Sequence, residues 1–218
     1  MTDGSLEVRL RVGVDELGLA LGAAQLAQLL AYQDLIQKWN KVYNLTAVRD
    51  PAEMLTHHLL DSLSVIAPLR RHTQSQPTRL LDVGAGAGLP GVVIAICCAE
   101  VEVTCVDTVA KKAAFIQQVA VALKLPNLRG VHARVENLPG PYEVVTSRAF
   151  ASLADFVALS QQALAEGGVW MAMKGKRPTD ELTLLPANAS VFHVEQLKVP
   201  QLDAERCLIW LKTAAPVT

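Results

Sequence analysis

The stretch Leu80-Leu81-Asp82-Val83-Gly84-Ala85-Gly86-Ala87-Gly88-Leu89-Pro90-Gly91 decides the fold of this chain. An apolar run ends at Asp82-Val83, four glycines follow within eight positions, and a second apolar run, Val92 to Cys98, begins at once. This pattern predicts a strand, a tight turn and a helix. Glycine lets the turn adopt positive φ and leaves bare backbone for a ligand. The unpaired N–H groups at the start of the helix favour a negatively charged group there.

The glycine spacing fits two kinds of nucleotide site. Residues 86–91 match the G-x-G-x-x-G spacing of dinucleotide sites. Residues 82–88 equally match the Asp-x-Gly-x-Gly-x-Gly loop of S-adenosylmethionine methyltransferases. Both kinds need an acidic residue for ribose hydroxyls at the end of the next strand, about 20 residues further on, and Asp107 stands there. A glycine turn without a ligand is the third interpretation.

The composition limits the class of protein. The chain has 218 residues, which is room for one large domain or for a domain with a small extension. The net charge of -1 gives no general attraction to nucleic acid, so such a site has to be a local basic patch. The first residues do not resemble a secretory signal, and no apolar run is long enough to span a bilayer. We therefore expect a soluble, cytoplasmic protein that does not enter a membrane.

The four cysteines are Cys97, Cys98, Cys105 and Cys207. They lie inside apolar helix or strand patterns, without a Cys-x-x-Cys pair or a histidine spacing typical of zinc. The sequence predicts reduced cysteines in the core and no metal site.

The front of the chain has a helical pattern. We expect an irregular lead-in over residues 1–14, a helix from Asp15 to about Tyr43, and a second helix from Asp50 to about Ile66. His58 and Asp61 lie on one face of the second helix and can hydrogen-bond each other. The domain prediction is a helical extension over residues 1–66, a polar linker over 67–78, and a methyltransferase-like domain over 79–218.

From residue 79 onward, strand and helix patterns alternate, which predicts a parallel sheet with helices on both faces. The last two strands, 190–199 and 206–212, are joined by too few residues for a crossover helix, so they form an antiparallel hairpin. The predicted fold class is α/β, a doubly wound, mostly parallel sheet that ends in an antiparallel hairpin. Methyltransferases that use S-adenosylmethionine end in this way, whereas a dinucleotide dehydrogenase continues with further parallel strands and a catalytic domain.

The chain resembles the glucose-inhibited division protein B family, the small-subunit ribosomal RNA (guanine-N7) methyltransferases. The similarity spans nearly the whole sequence. Its motifs are Trp39-Asn40, Asn44-Leu-Thr-Ala47, His58-Leu-Leu-Asp61-Ser62-Leu63, the stretch 82–91, Lys111-Lys112, Arg134-Val135-Glu136, Ser147-Arg148-Ala149-Phe150, Lys174-Gly175 and Pro200-Gln-Leu-Asp-Ala-Glu-Arg206. One mild departure is Thr108, where the family usually has serine after the acidic residue of the second strand.

The resemblance implies a class I, Rossmann-like fold, S-adenosylmethionine as cofactor, and methylation of a guanine in the 530 loop of 16S ribosomal RNA. It also implies that Gly84 and Leu89 line the methionine end of the cofactor, that Val135 and Glu136 flank its adenine, and that Arg148 contacts the cofactor or the incoming base. The full set of candidate cofactor-binding residues is Asp82, Gly84, Gly86, Gly88, Leu89, Asp107, Val135, Glu136 and Arg148. We expect a monomer.

The residues after the fourth strand agree with this chemistry. Guanine N7 carries a lone pair and no proton, so methylation there needs in-line placement and no general base. The segment Thr146-Ser147-Arg148-Ala149 differs from the Asn/Asp-Pro-Pro-aromatic turn that typically holds an exocyclic amine. Buried cysteines leave no nucleophile for pyrimidine C5 methylation. A ring nitrogen, a carboxylate or another simple nucleophile remains, with Arg148 as the candidate catalytic residue that positions it.

The partner predicted by the resemblance is 16S ribosomal RNA or the small ribosomal subunit. Candidate RNA-binding residues are Asn44, His58, Lys174, Lys176 and Arg177. Aromatic residues are few, with three Trp, three Tyr and four Phe, so a preformed platform for stacking single-stranded bases is not expected. Two alternatives stay open, namely a methyltransferase acting on a small molecule and a non-catalytic module that binds NAD.

Overall fold

The computed structural model describes residues 5–150 and 152–214. The helices are α1 (Leu6–Glu16), α2 (Ala23–Tyr43), α3 (Pro51–Met54), α4 (Asp61–Leu63), α5 (Ile66–Thr73), α6 (Gly91–Cys97), α7 (Ala110–Ala122), α8 (Leu153–Ser160) and α9 (Thr179–Thr183), with a π-helical turn at Leu55–Leu60 and a 3₁₀ turn at Val135–Asn137. The strands are β1 (Thr78–Val83), β2 (Val101–Asp107), β3 (Leu128–His132), β4 (Tyr142–Arg148), β5 (Leu164–Lys174), β6 (Ala189–Leu197) and β7 (Arg206–Thr213). Within these ranges, none of the helices combines the length and the apolar character needed to cross a membrane.

The strands of the described residues form one sheet in the order β3-β2-β1-β4-β5-β7-β6. Strands β1 to β5 pair in parallel, and β7 lies antiparallel between β5 and β6. The predicted α/β fold with a closing antiparallel hairpin is confirmed. The strand order reverses at β1, which lies between β2 and β4. Ligands of such sheets bind at the carboxyl ends of the strands beside this reversal.

Helix α2 supports the glycine loop that follows β1. Buried Tyr32 donates its phenol hydrogen to the carbonyl oxygen of Ala87 at 2.6 Å. Gln25 and Gln28 on the same helix donate side-chain amide hydrogens to the last carbonyls of α6 and α7, at 3.0 and 2.9 Å. These bonds satisfy carbonyl groups that a helix end leaves without a partner. The N-terminal helices and one face of the sheet share a continuous hydrophobic cluster.

The irregular lead-in predicted for residues 1–14 is wrong from residue 6 onward, and residues 1–4 lie outside the described residues. Helix α1 begins after Ser5, whose hydroxyl accepts the N–H of Val8. Leu10 and Val14 are buried, so this short helix is stabilised by packing rather than by its own propensity. The single helix predicted from residue 15 to 43 is interrupted at Gly18, whose φ of +64° ends the helical path.

The polar linker predicted for residues 67–78 is also wrong over most of its length, because α5 covers Ile66–Thr73. Pro68 and Leu69 are buried in the hydrophobic cluster. Arg70 donates to the carbonyl oxygen of Cys97 at 2.7 Å, which ties α5 to the end of α6. The charged residues of this segment suggested a solvated linker, although Pro68 and Leu69 just before them are enough to bury one side of a helix. The division into an extension and a methyltransferase domain stays a prediction.

Leu69→Ala tests whether α5 is part of the core. Leu69 has no exposed surface, so we expect the variant to lose about 2–5 kcal/mol of unfolding free energy in urea denaturation. The control is Leu184→Ala, because Leu184 is 71% exposed and its loss should cost less than about 0.5 kcal/mol. Equal stabilities of the two variants would mean that residue 69 behaves like part of a linker.

Candidate functional site

Two cavities open at the carboxyl ends of the parallel strands, beside the reversal of strand order. The large lobe has a volume of about 570 Å³ and the small lobe about 370 Å³. Both are lined by Gly84 and by the ring of Phe150, so they meet there to form one cleft. Phe150 follows Ala149, whose φ of +55° turns the chain after β4 toward the cleft.

The glycine loop supplies the floor of the cleft. Gly84 and Gly86 have φ values of +66° and +59°, a left-handed conformation that side chains disfavour. A Cβ at Gly84 would lie 3.0 Å from the ring of Phe150, so the bare backbone keeps the passage between the lobes open. Gly84, Gly86 and Leu89 line the large lobe, and the structure thus brings these three candidates together.

Asp82 and Gly88 do not line either lobe. A Cβ at Gly88 would lie 2.5 Å from Val92 and 3.3 Å from the hydroxyl oxygen of Tyr32, so this glycine permits close packing of α2 and α6 under the loop. The Asp82 carboxylate is fully buried and accepts the N–H of Gly91 at 2.8 Å. These two candidates therefore lie beneath the loop, and they hold it in shape.

The small lobe contains the acidic residue at the end of β2. One carboxylate oxygen of Asp107 accepts the N–H of Gly86 at 3.0 Å, and the other accepts the N–H of Val109 at 2.8 Å. The carboxylate therefore joins the glycine loop to the start of α7, and it keeps further lone pairs for a ligand. Val135 and Glu136, from the 3₁₀ turn after β3, line the same lobe.

Arg148 lies at the end of β4 in the large lobe. Its Nη1 donates to Oδ2 of Asp61 at 2.9 Å and to the carbonyl oxygen of His57 at 2.7 Å. Both partners come from the π-helical turn and the residue that follows it, where the wider helix leaves a carbonyl available. Such turns occur frequently at functional sites.

Asp61 holds a second arginine with its other oxygen. Oδ1 accepts from Nε of Arg206, the first residue of β7, at 2.7 Å. The Asp61 side chain is 3% exposed, whereas those of Arg148 and Arg206 are 21% and 23% exposed. One buried carboxylate thus orients two guanidinium groups, and both arginines line the large lobe. Lys174 also lines this lobe and pairs with Glu181 at 2.8 Å.

His58 does not bond to Asp61 as the sequence suggested. Its Nε2 lies 2.8 Å from the hydroxyl oxygen of Thr46, and both residues line the large lobe. Burial, followed by the charge of Arg148, lowers the pKa of His58 from 6.5 to about 4. The imidazole is therefore neutral near pH 7, and it serves as a hydrogen-bonding group rather than a positive charge.

The remaining candidate RNA-binding residues differ in their position relative to the large lobe. Lys174, Lys176 and Arg177 line a neighbouring groove that shares Lys174 and Gly175 with the lobe. Asn44 is exposed at the end of α2, where its side chain accepts from Arg49 at 3.2 Å. Asn44 lines neither lobe in the structure.

The predicted burial of the four cysteines in the core is confirmed, and none of them forms a disulfide. Burial raises the pKa of Cys98 to about 11, so its thiol stays protonated. Among the described residues, no group of three or more His, Cys, Asp or Glu side chains is arranged to hold a metal ion.

Several residues that line the large lobe received no role from the sequence, namely Thr46, His57, Asp61, Phe150 and Arg206. All five except His57 belong to motifs that carried the family resemblance. The motifs of the family resemblance therefore indicated which residues line the large lobe. They did not reveal the geometry, because the partners of Asp61 lie 87 and 145 positions away along the chain.

The sheet topology, the glycine loop at the strand reversal and the acidic residue at the end of β2 define a class I S-adenosylmethionine-dependent methyltransferase fold. A family model described as "GidB: rRNA small subunit methyltransferase G" matches residues 25–209. The chain belongs to this family, which confirms the resemblance read from the sequence.

Relatives with high identity cover almost the entire chain. A protein of Polaromonas sp. (strain JS666 / ATCC BAA-500) named "Ribosomal RNA small subunit methyltransferase G" is 67% identical, over 94% of this chain and 93% of its own length. A protein of the same name from Acidovorax ebreus (strain TPSY) is 64% identical, over 99% of both chains.

Solved structures with lower identity share the fold. TrmN from Thermus thermophilus is 17% identical with a TM-score of 0.57, over 73% of this chain and 53% of that one. A SAM-dependent methyltransferase from Aquifex aeolicus is 14% identical with a TM-score of 0.55, over 74% and 97% of the two chains. A methyltransferase from Geobacter sulfurreducens, solved in complex with S-adenosyl-L-homocysteine, is 12% identical with a TM-score of 0.51, over 71% and 90%.

Two buried titratable residues give opposite pH dependences of stability. Burial raises the pKa of Asp82 from 3.8 to about 7. Between these values the folded state binds a proton that the unfolded state lacks, so the unfolding free energy falls as pH rises. The lowered pKa of His58 has the reverse effect between about 4 and 6.5, because there the unfolded state binds the extra proton. The two slopes oppose each other in this range.

Asp82→Asn removes only the contribution of Asp82, which makes the unfolding free energy fall as pH rises. We expect the unfolding free energy of this variant to rise more steeply with pH than that of the wild type between about pH 4.5 and 6.5, by up to ~1.4 kcal/mol per pH unit. Urea denaturation at several pH values measures the difference. Asp34→Asn, at an exposed position on α2, should keep the wild-type slope. The same slope in Asp82→Asn and wild type would contradict the raised pKa of Asp82.

Proposed function

We propose that this chain transfers the methyl group of S-adenosylmethionine to N7 of a guanine in the 530 loop of 16S ribosomal RNA. Membership of the rRNA small subunit methyltransferase G family supports the reaction class and the kind of substrate. The atom and the loop rest on the family resemblance. The observation that carries the proposal is the arrangement of the cleft. Asp107, an acidic residue at the position that binds ribose hydroxyls in this fold, lines the small lobe, and Arg148 and Arg206 line the large lobe.

The residues of the cleft fit the proposed cofactor. Asp107 has lone pairs for two ribose hydroxyls, and Val135 and Glu136 flank the remainder of the small lobe, where an adenine fits. The bare backbone at Gly84, with Leu89 beside it, leaves room for the methionine end in the large lobe. The cofactor supplies an electrophilic methyl group on a sulfonium ion. The protein orients both ends of the cofactor and the attacking base.

Methylation at guanine N7 requires orientation rather than proton removal. The titratable groups around Arg148 agree with this requirement. His58 is neutral near pH 7 and is bonded to Thr46. Asp61 uses both of its oxygens for Arg148 and Arg206. The proposed reaction uses neither residue as a base.

Arg148 has the geometry to orient the base. Asp61 and the carbonyl of His57 occupy its Nη1, which leaves the N–H groups of Nε and Nη2 available. Arginine commonly contacts both O6 and N7 of guanine, but N7 has to stay free to attack. In our proposal Arg148 therefore donates to O6 alone, and the planar guanidinium fixes the plane of the base.

The basic residues beside the large lobe fit an RNA backbone. Lys176 and Arg177 are exposed and lie in the groove next to Lys174. In our proposal they contact phosphates, and His58 and Asn44 contact RNA nearer to α2. The substrate is the 16S RNA or the small ribosomal subunit, the protein acts as a monomer, and the reaction takes place in the cytoplasm.

The direct test is methyl transfer from labelled S-adenosylmethionine to small subunits from a strain that lacks this protein. We expect one methyl group per subunit, at N7 of a guanine in the 530 loop, when the modified nucleotide is mapped by mass spectrometry. Label on another nucleotide would contradict the position. A lack of label on RNA, together with transfer to small molecules of a cell extract, would favour the small-molecule alternative.

Asp107→Ala tests the identity of the cofactor. Charge-assisted bonds to the ribose hydroxyls contribute about 1.5–3 kcal/mol. We therefore expect titration calorimetry to show binding of S-adenosylmethionine that is weaker by roughly 10- to 100-fold. Glu102→Ala is the matched control, because Glu102 is exposed on the same strand and lines a cavity at the opposite edge of the sheet.

Two outcomes of this titration would contradict the assignment. An unchanged affinity in Asp107→Ala would remove Asp107 from the site. Binding of NAD, without binding of S-adenosylmethionine, by the wild type would support the non-catalytic alternative.

A further inference from the structure

A separate cavity of about 300 Å³ lies between α5 and the closing hairpin of the sheet. We call it the hairpin pocket, and its lining residues are Pro68, Arg71, His72, Phe192, His193, Glu195 and Trp210. It shares none of these residues with either lobe of the cleft. Its size is at the lower end of the range for small-molecule sites, which suits a single ring system.

Three aromatic rings meet in the hairpin pocket, each from a different element. The ring centroids are 4.7 Å apart for His72 and Trp210, 6.3 Å for His72 and Phe192, and 6.4 Å for Phe192 and Trp210. Trp210 is only 2% exposed and forms the floor, whereas Phe192 is 44% exposed at the rim. The exposed ring of Phe192 at the edge of this cavity is available for contact with a ligand.

The rim of the pocket carries fixed groups of both charges. Glu195 accepts from Nε1 of Trp210 at 3.0 Å and from Arg71 at 2.5 Å, so it orients both the floor and one side of the rim. Lys212 lies 5.9 Å from the centre of the Phe192 ring. Arg71 thus pairs with the carboxylate, Lys212 lies beside the exposed ring, and burial lowers the pKa of His72 so that its ring is neutral near pH 7.

Strand β7 connects the hairpin pocket to the reaction site. It begins at Arg206 in the large lobe, and Trp210 lies four residues further on. Side chains alternate along a strand, so Arg206 and Trp210 point to the same face, about 13 Å apart at 3.3 Å per residue. An RNA whose guanine enters the large lobe can therefore reach the hairpin pocket with a nucleotide near the target.

We propose that the hairpin pocket binds one unpaired base of the substrate RNA, which stacks on Phe192 and His72 while Arg71 and Lys212 contact its phosphates. This inference rests on the proposed function, since it needs an RNA substrate. Stacking on aromatic rings accepts any base, and the cations suit a phosphate backbone. A ribosomal protein is less favoured, because a cavity of this size with a charged rim offers little apolar area for a protein interface.

Phe192→Ala tests the stacking contact. We expect the KM for small subunits to rise about 10-fold, in line with the loss of one stacked base. The value of kcat should stay the same, because the change affects binding. Phe192→Tyr keeps the ring and should restore a KM close to that of the wild type. Val121→Ala is the matched control, because Val121 is 75% exposed on α7, and its KM should not change. An unchanged KM in Phe192→Ala would overturn the inference.

Ultraviolet crosslinking of the wild type to small subunits identifies what occupies the pocket. We expect mass spectrometry to find a nucleotide attached to a peptide that contains Phe192 or Trp210. A ribosomal-protein peptide in its place, or no nucleotide on these peptides, would overturn the inference. The proposed function fails separately, because its failure appears as the absence of methyl transfer to RNA by the wild type.

Discussion

The buried carboxylate of Asp61 is the interaction on which the candidate site depends. It lies directly after the π-helical turn and bonds Arg148 at the end of β4 and Arg206 at the start of β7. A buried carboxylate of this kind is stable only while its partners stay in place, since an unpaired charge in the interior is costly. The N-terminal helices and the carboxyl edge of the sheet are therefore held in one arrangement, and both arginines line the large lobe.

This arrangement brings residues of the N-terminal segment into the candidate site. Solved structures of low sequence identity share the fold of this chain. The proposed acceptor side of the large lobe includes residues from outside the sheet, because Thr46, His58 and Asp61 all come from the segment before β1. Tyr32 adds a bond from α2 to the glycine loop itself. The proposed cofactor and acceptor positions are thus both in contact with the N-terminal segment, which suits a reaction that depends on orientation.

The sequence predicted those features that depend on neighbouring residues. Strand β2 ends at Asp107, where the sequence placed the acidic residue at the end of the strand after the glycine loop. The glycine loop was equally clear, since positive φ at Gly84 and Gly86 needs glycine. Helix α5 was missed because its helical state depends on burial of Leu69. The pairing of Asp61 with two arginines, and the meeting of three aromatic rings in the hairpin pocket, depend on contacts between distant segments. The small number of aromatic residues argued against a platform for stacking single-stranded bases. Composition does not show, however, which aromatic rings lie close together in the fold.

The most direct test of this account is a double-mutant cycle between Asp61 and Arg148, measured by single-turnover methylation with saturating cofactor and small subunits. Arg148→Ala should slow methyl transfer at least about 100-fold, in line with the cost of a misplaced reactant. Asp61→Asn should also slow it, because the guanidinium loses its fixed partner. The double variant should be no slower than Arg148→Ala alone, since coupled residues do not have additive effects. Wild-type rates in Asp61→Asn, or additive losses in the double variant, would contradict the claim that Asp61 positions Arg148 for the reaction.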